Sequence, residues 1–95
     1  MKLVWSKAAV RDLLELAEYI AQDSEQTVAL VEARIHEEAK MLSRFPRSGR
    51  AGRVTGTRER VVRKTPYILI YKAAAGRVRI LRVYRGARRW PERIE

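Results

Sequence analysis

The spacing of apolar residues changes from a helical to a strand-like period about halfway along this chain. Up to Phe45, apolar side chains recur every three or four positions in two stripes, one from Val10 to Ala21 and one that starts at Val28. From residue 57 onward, the apolar residues lie in short runs typical of strands. This order predicts an α+β fold in which two amphipathic helices form a hairpin and pack on a sheet.

The residues that flank the two stripes predict where the helices begin and end. Ser6 offers an N-cap for a helix that begins near residue 7. Asp23 or Ser24 offers a cap for the second helix, and Pro46 stops it because proline disfavours helix in the residue before it. The short connection between the stripes predicts that the helices are neighbours.

The strand-like runs predict the rest of the architecture. A first strand is expected within residues 1–5, and the last two strands flank Ala74-Ala75-Gly76, which suits an antiparallel hairpin with a three- or four-residue loop. Ninety-five residues leave room for one domain, residues 1–95. We expect a β-α-α-β-β-β order, with the N-terminal strand and helical hairpin packed on an antiparallel β-sheet. The remaining predicted elements are a loop at 47–53 and strands at 57–64, 67–73 and 77–84.

Charge is divided unequally between the two halves of the chain. The 21 Lys and Arg residues against 11 Asp and Glu give a formal net charge of +10. Residues 1–43 carry five basic and eight acidic side chains, a net of −3, whereas residues 44–95 carry sixteen and three, a net of +13. Fourteen of those sixteen are Arg, which binds phosphate or carboxylate through a planar fork. The basic half therefore predicts a polyanionic partner, either nucleic acid or an acidic protein.

Alternation along the last strand predicts which side chains face outward. We expect Leu81 and Val83 to face the helices and Arg82 and Tyr84 to lie on the uncovered face of the sheet. Val78 has the same parity as Arg82, so the strand is either buried on different faces along its length or bulged near residues 80–81. Neighbouring strands are expected to add basic side chains to the uncovered face, namely Arg58, Arg60 or Arg63.

The sequence excludes several classes of site. Without cysteine there is no disulfide, thiolate nucleophile or cysteine-ligated zinc. No Ser-His-Asp set, metal-ligand cluster or glycine-rich phosphate loop can be assembled, and no cofactor is expected. The one histidine, His36, lies off the apolar stripe and is assigned no role, whereas Trp5 is expected in the core. Glu59 is either a general base or, as we favour, the salt-bridge partner of a neighbouring Arg. No targeting or membrane segment is visible, so a cytoplasmic location is expected.

Short motifs in a fixed order over nearly all of the chain carry a family resemblance. They are Trp5-Ser6, Asp12-Leu13, Tyr19-Ile20-Ala21, Phe45-Pro46, Gly49-Arg50, Gly52-Arg53-Val54, Gly56-Thr57-Arg58-Glu59, Pro66-Tyr67-Ile68, Tyr71, Ile80-Leu81-Arg82-Val83, Gly86-Ala87-Arg88 and Trp90-Pro91. With these motifs the chain resembles the RelE/ParE superfamily of bacterial type II toxin–antitoxin toxins, and it is more similar to the ParE-like branch. The fold of that superfamily, a helical hairpin on an antiparallel sheet, agrees with the predicted order.

The resemblance implies a toxin that arrests growth and is held inactive by a cognate acidic antitoxin, in a toxin–antitoxin hetero-oligomer. RelE-like members cut mRNA on the ribosome, whereas ParE-like members inhibit DNA gyrase by binding. The candidate nuclease residues are Arg58, Arg82, Tyr84 and Arg85. Arg85 stands where many relatives have a His, and because Arg stays protonated it is a poor general acid or base. We therefore expect a non-enzymatic gyrase inhibitor, with a ribosome-dependent mRNA endoribonuclease as the alternative.

The binding surface that the resemblance implies combines basic and aromatic side chains of the sheet half. The residues expected to contact the antitoxin or the target are Arg50, Arg53, Arg58, Arg60, Arg63, Arg82, Tyr84, Arg88 and Trp90.

Overall fold

The computed structural model describes residues 1–86, which form two helices and five strands. In chain order the elements are β1 (Lys2–Trp5), α1 (Lys7–Ala21), α2 (Glu25–Arg44), β2 (Arg50–Ala51), β3 (Arg58–Val61), β4 (Tyr67–Ala74) and β5 (Arg77–Arg85). The predicted β-α-α-β-β-β order is confirmed, with one addition: the two-residue β2 lies in the segment predicted as a loop. Within residues 1–86, neither helix combines the length and the apolar character needed to cross a bilayer.

The five strands form one sheet in the order β1-β5-β4-β3-β2. The pairs β2–β3, β3–β4 and β4–β5 are antiparallel, but β1 runs parallel to β5, with Lys2 opposite Arg77 and Trp5 opposite Ile80. The sheet is therefore mixed: the predicted antiparallel sheet is confirmed for β3, β4 and β5, and the N-terminal strand β1 joins it in parallel. No tight turn connects β1 to its neighbour, so no local signal in the sequence sets its direction.

Side-chain caps fix the first turn of each helix. The Ser6 hydroxyl accepts a hydrogen bond from the Ala9 N–H at 3.0 Å, and it also donates to the Leu81 carbonyl of β5 at 2.8 Å. For α2 the cap is Ser24, whose hydroxyl accepts from the Thr27 N–H at 3.2 Å, which decides between the two predicted caps. The buried Ser6 therefore ties the start of α1 to the last strand of the sheet.

The main core lies between the helical hairpin and one face of the sheet. Leu16 of α1 and the fully buried Ile35 and Leu42 of α2 pack against Leu69 and Ile80 of the sheet. The predicted core residue Trp5 is half-buried against the same cluster, and its ring centroid lies 5.1 Å from that of the exposed His36. The hairpin stripes therefore bury against the sheet as their periodicity predicted.

A bulge in β5 determines which of its side chains face the helices. Tyr71 of β4 lies opposite Ile80, whereas the preceding Ile70 lies opposite Arg82, so Leu81 is an extra residue. Of the two alternatives that the sequence left open for this strand, the structure has the bulge near residues 80–81. Val83 faces the helices as predicted, but the prediction for Leu81 was wrong, because the bulge turns its fully buried side chain to the other face, against Ile70.

The hairpin between β4 and β5 is tighter than predicted. Ala74 lies opposite Arg77, so the loop consists of Ala75 and Gly76 alone. Both adopt left-handed backbone angles, with φ of 52° and 74°. Two successive left-handed residues are typical of a type I′ turn, whose twist matches that of the paired strands.

Candidate functional site

A cavity of about 420 Å³ opens between α1 and the end of β5. It exists because β1 pairs with β5 only as far as Ile80, so that α1 rather than a strand lies beside the edge of β5 from Leu81 onward. The Asp12 carboxylate accepts the otherwise unpaired Val83 N–H at this edge, at 2.9 Å. The described residues that line the cavity are Asp12, Glu15, Leu16, Tyr19, Tyr67, Arg82, Val83, Tyr84 and Arg85.

Asp12 and Arg82 form a two-pronged ion pair at the wall of the cavity. Arg82 Nε donates to Asp12 Oδ2 at 2.7 Å and Arg82 Nη2 donates to Asp12 Oδ1 at 2.9 Å. The hydrogen bond to Asp12 raises the pKa of Arg82, against the opposing effect of burial. The strand register places Arg82 on the face away from the helices, as predicted, but its side chain reaches round the sheet edge to α1. Its charge is therefore offset by Asp12.

Arg85 also lines the cavity, but unlike Arg82 it donates to a tyrosine hydroxyl rather than to a carboxylate. Its Nη1 donates to the Tyr19 hydroxyl at 3.3 Å, and the guanidinium carbon lies 5.7 Å from the centroid of the Tyr19 ring. Its Nε is buried, and within the described structure it has no hydrogen-bond partner. Arg85 thus combines a weak cation–π contact with an unsatisfied donor, which is an unusual state for a buried polar atom.

Tyr84 lies beside these residues and joins the cavity to the second face of the sheet. It is opposite Ile68 in β4, and it packs against the buried pair Ile70 and Leu81. It also lines the cavity together with Arg82 and Arg85. The structure therefore brings together three of the four candidate nuclease residues, but Arg58 lies elsewhere.

The basic residues of β3 do not join the uncovered face, and that prediction was wrong. Arg58 lies opposite Tyr71 and Arg60 lies opposite Leu69, so the register turns both toward the helix side of the sheet. Arg60 Nε and Arg63 Nε donate to the two carboxylate oxygens of the buried Glu38 of α2, at 3.1 and 3.3 Å. Glu38 thus draws both cations to the helix side.

Arg58 is held by backbone carbonyls of the segment between α2 and β2. Its Nη1 donates to Gly49 O at 2.9 Å and to Arg47 O at 3.3 Å. Tyr71 anchors the same segment, since its hydroxyl donates to Pro46 O at 2.8 Å and accepts from Gly49 N–H at 2.9 Å. Burial raises the pKa of Tyr71, although the Gly49 N–H and the nearby arginines oppose this effect.

Glu59 is a salt-bridge partner, as favoured from the sequence, but it is buried rather than at the surface. It lies opposite Ile70, on the face of the sheet away from the helices, and is 3% exposed. Arg50 Nη2 lies 3.1 Å from its Oε1, and the Arg53 N–H donates to its Oε2 at 2.8 Å. These contacts hold the short β2 and the following turn against β3.

Helical spacing was the signal that could have revealed the residues that sequence reasoning missed. Asp12, Glu15 and Tyr19 are three and then four positions apart, so they share one face of α1. Polar residues on a face that borders the sheet indicate a site rather than a solvated surface. Arg88 and Trp90 lie outside the described residues. Residues 1–86 contain no group of three or more side chains that could hold a metal ion.

The cavity suits binding better than proton transfer. The Asp12 carboxylate already accepts three hydrogen bonds from Arg82 and Val83, so both of its oxygens are engaged by the protein itself. Arg82 and Arg85 are cations that recognise an anion but do not exchange protons at neutral pH. The arrangement can therefore hold an acidic or planar group between a helix and a strand end.

Comparisons with known proteins agree with this architecture. Residues 3–90 match the family described as "ParE toxin of type II toxin-antitoxin system, parDE". The chain is 37% identical over 91 residues to "Putative toxin Y4kP" of Sinorhizobium fredii, covering 96% of this chain and 94% of that protein. It is 32% identical over 87 residues to "Toxin RelE2" of Caulobacter vibrioides, covering 92% of this chain and 97% of that protein. A solved structure from the chromosomal ParDE system of P. aeruginosa superimposes with a TM-score of 0.80 at 24% identity, covering 90% and 95%.

Proposed function

This chain belongs to the ParE family of toxins of type II toxin–antitoxin systems, and we propose that it inhibits DNA gyrase by binding and is neutralised by an acidic antitoxin. Family membership rests on a match that extends over residues 3–90. DNA gyrase acts in the cytoplasm, so we place the action of the toxin there too.

The observation that carries the non-enzymatic proposal is that two of the candidate nuclease residues, Arg58 and Arg82, are held by contacts within the protein itself. A ribonuclease site needs cations aimed at the reacting phosphate and a group that can move a proton. Here the Arg82 charge is offset by Asp12, and Arg58 donates to two backbone carbonyls. Arg85 supplies no proton exchange at neutral pH. These contacts support a toxin that recognises its target by surface and charge.

Charge supports the antitoxin as an acidic protein. The chain carries a net charge of +10, and all of this excess comes from residues 44–95, whose own net charge is +13. Several arginines of that half remain accessible, with the side chains of Arg50 and Arg63 60% and 77% exposed. Such a surface accelerates association with an acidic partner and selects against basic ones.

The ribonuclease alternative has one structural observation in its favour. Tyr84 and Arg85 line a cavity next to Arg82, so an aromatic ring and a guanidinium meet where a nucleotide has space to stack. One relative is also named as a RelE toxin. We rank this alternative second, because Asp12 and Glu15 place two carboxylates in the same cavity.

Two assays on the intact toxin separate the two activities. In the first, purified gyrase supercoils a relaxed plasmid in the presence of increasing toxin. We expect supercoiling to be lost, and then restored by the short acidic protein encoded beside the toxin gene. In the second, primer extension maps cellular mRNA after brief induction, with uninduced cells as the control. Codon-spaced cuts together with uninhibited gyrase would overturn the proposal.

A further inference from the structure

Arg85 Nε is the one side-chain polar atom in the described structure that is buried without a hydrogen-bond partner. The Nη1 atom of the same side chain makes only a long contact of 3.3 Å to the Tyr19 hydroxyl. A buried donor without an acceptor is unfavourable, so the resting position of this side chain is poorly stabilised. An acceptor that enters the cavity would therefore give Arg85 Nε the hydrogen bond that it lacks.

The other charges of the cavity select the kind of acceptor. Among the described residues that line it, Arg82 and Arg85 are balanced by Asp12 and Glu15. Arg82 is already matched by Asp12, and Glu15 is exposed on α1. An RNA strand would bring several phosphates toward these two carboxylates, whereas nucleic-acid sites depend on an excess of cations. A protein segment can present a single carboxylate to Arg85 and a basic side chain to Glu15.

We propose that the cavity between α1 and the end of β5 is a receptor for the carboxylate of an Asp or Glu side chain on an acidic protein segment. The inference rests on the proposed function to the extent that the antitoxin is the source of that segment. Arg85 captures the carboxylate through Nε and one Nη in the planar two-point geometry that Arg offers and Lys does not. The Tyr19 and Tyr84 rings flank the hydrocarbon part of the acidic side chain.

Capture requires a small rotation of the Arg85 side chain. The buried Nε becomes accessible when the guanidinium turns away from the Tyr19 hydroxyl, which costs little because the contact that is broken is long. At rest the guanidinium carbon lies 5.7 Å from the centroid of the Tyr19 ring, and we expect a small rotation to keep this cation–π contact. The carboxylate thus replaces a weak neutral acceptor with a strong charged one.

Nuclear magnetic resonance of the intact toxin tests this inference without antitoxin, gyrase or RNA. The probe is N-acetyl-L-glutamate α-amide, added up to tens of millimolar, and the matched control ligand is N-acetyl-L-glutamine α-amide. We expect the Arg85 Nε–Hε signal to shift along a saturable curve with the glutamate probe and to remain in place with the glutamine probe. Because neither partner is present, this experiment can fail while the gyrase proposal holds, and the reverse.

Two variants confine the effect to one side chain. Arg85→Lys keeps the charge but removes the planar guanidinium. We expect it to lower the affinity for the glutamate probe about tenfold or more, as measured from backbone amide shifts around Tyr19. Arg77→Lys, at the exposed far end of the same strand, should leave binding unchanged. The wild-type Nε–Hε titration stands by itself if the Arg85 variant does not fold. Equal shifts with both probes, no shift at Arg85, or tighter binding of a dinucleoside monophosphate than of the glutamate probe would each overturn the proposal.

Discussion

Replacing Asp12 by Asn should destabilise the toxin through the cation that it leaves behind. Asp12 is 8% exposed, and its two oxygens accept three hydrogen bonds, two from Arg82 and one from the Val83 N–H. An Asn side chain of the same shape can keep its oxygen at the Oδ2 position and retain two of these bonds without the charge. Its NH₂ group would then face Arg82 Nη2, which is also a donor. Arg82, whose side chain is only 20% exposed, would lose the carboxylate that offsets its charge.

The expected loss is about 2–3 kcal/mol in the free energy of unfolding. Removing one partner of a fully buried ion pair costs about 3–5 kcal/mol, and the partial exposure of Arg82 places this case at or below the lower end. A domain of this size is typically stable by about 5–15 kcal/mol, so the loss is a large share. In urea it should lower the unfolding midpoint by about 1–2 M.

Equilibrium urea unfolding, followed by circular dichroism, measures the change. Glu18→Gln is the matched control, since Glu18 is an exposed acid on the same helix, and it should alter stability by less than about 0.5 kcal/mol. The double variant Asp12→Asn with Arg82→Gln should be less destabilised than the sum of its single variants, because it also removes the cation that Asp12 would otherwise neutralise. If Asp12→Asn is as stable as the control, or if the two single effects simply add, the ion pair between Asp12 and Arg82 does not stabilise the fold as described.

Three further changes test other parts of the structure. Tyr71→Phe loses the hydrogen bonds of the hydroxyl to the segment before β2. It should lower the free energy of unfolding, measured in urea, by about 1–2 kcal/mol. Burial raises the pKa of Tyr71 above that of the unfolded chain, so its contribution is complete at neutral pH; wild type should lose stability relative to Tyr71→Phe as the pH rises above about 10. Ser6→Ala should lower the free energy of unfolding by about 1–2 kcal/mol, and thermal denaturation should show a larger loss than for Ser24→Ala. The reason is that, of these two caps, Ser6 also donates to β5, so equal losses would contradict this. Ala75→Gly should stabilise by about 0.5–1 kcal/mol, because Ala75 has a left-handed backbone; a lower melting temperature would refute this.

Elements with a strong local signal were predictable from the sequence. The stripes of both helices, the Ser6 cap and the runs of β4 and β5 each depend on neighbouring residues, and all are present in the structure. Even the bulge was indicated, because Val78 and Val83 cannot both face the helices in a regular strand. The two-residue β2 had no such signal, since it depends on the contacts of Glu59 with the turn that follows.

The candidate site was harder to predict because its geometry depends on contacts between distant residues. Alternation along β5 placed Arg82 on the correct face, but it could not show that Asp12, 70 residues earlier in the chain, would draw the side chain round the edge. Likewise, Glu38 decides where Arg60 points, and only the register of β3 reveals that pairing. The net charge therefore predicted a basic surface, but it could not show which of the basic side chains already form an ion pair with a carboxylate.

The parallel pairing of β1 with β5 has a consequence for the newly made chain. Strand β1 is synthesised first, yet its partner is the last described strand, and the buried Ser6–Leu81 bond joins residues 75 positions apart. At about 5–20 residues per second, ribosomes take roughly 5–20 s to complete such a chain. During that time the apolar stripe of α1 lacks the strand end on which it packs, and the cavity beside Arg85 does not exist. We therefore expect the toxin to be harmless while it is being translated, and to present its binding surface only after β1 has paired with β5.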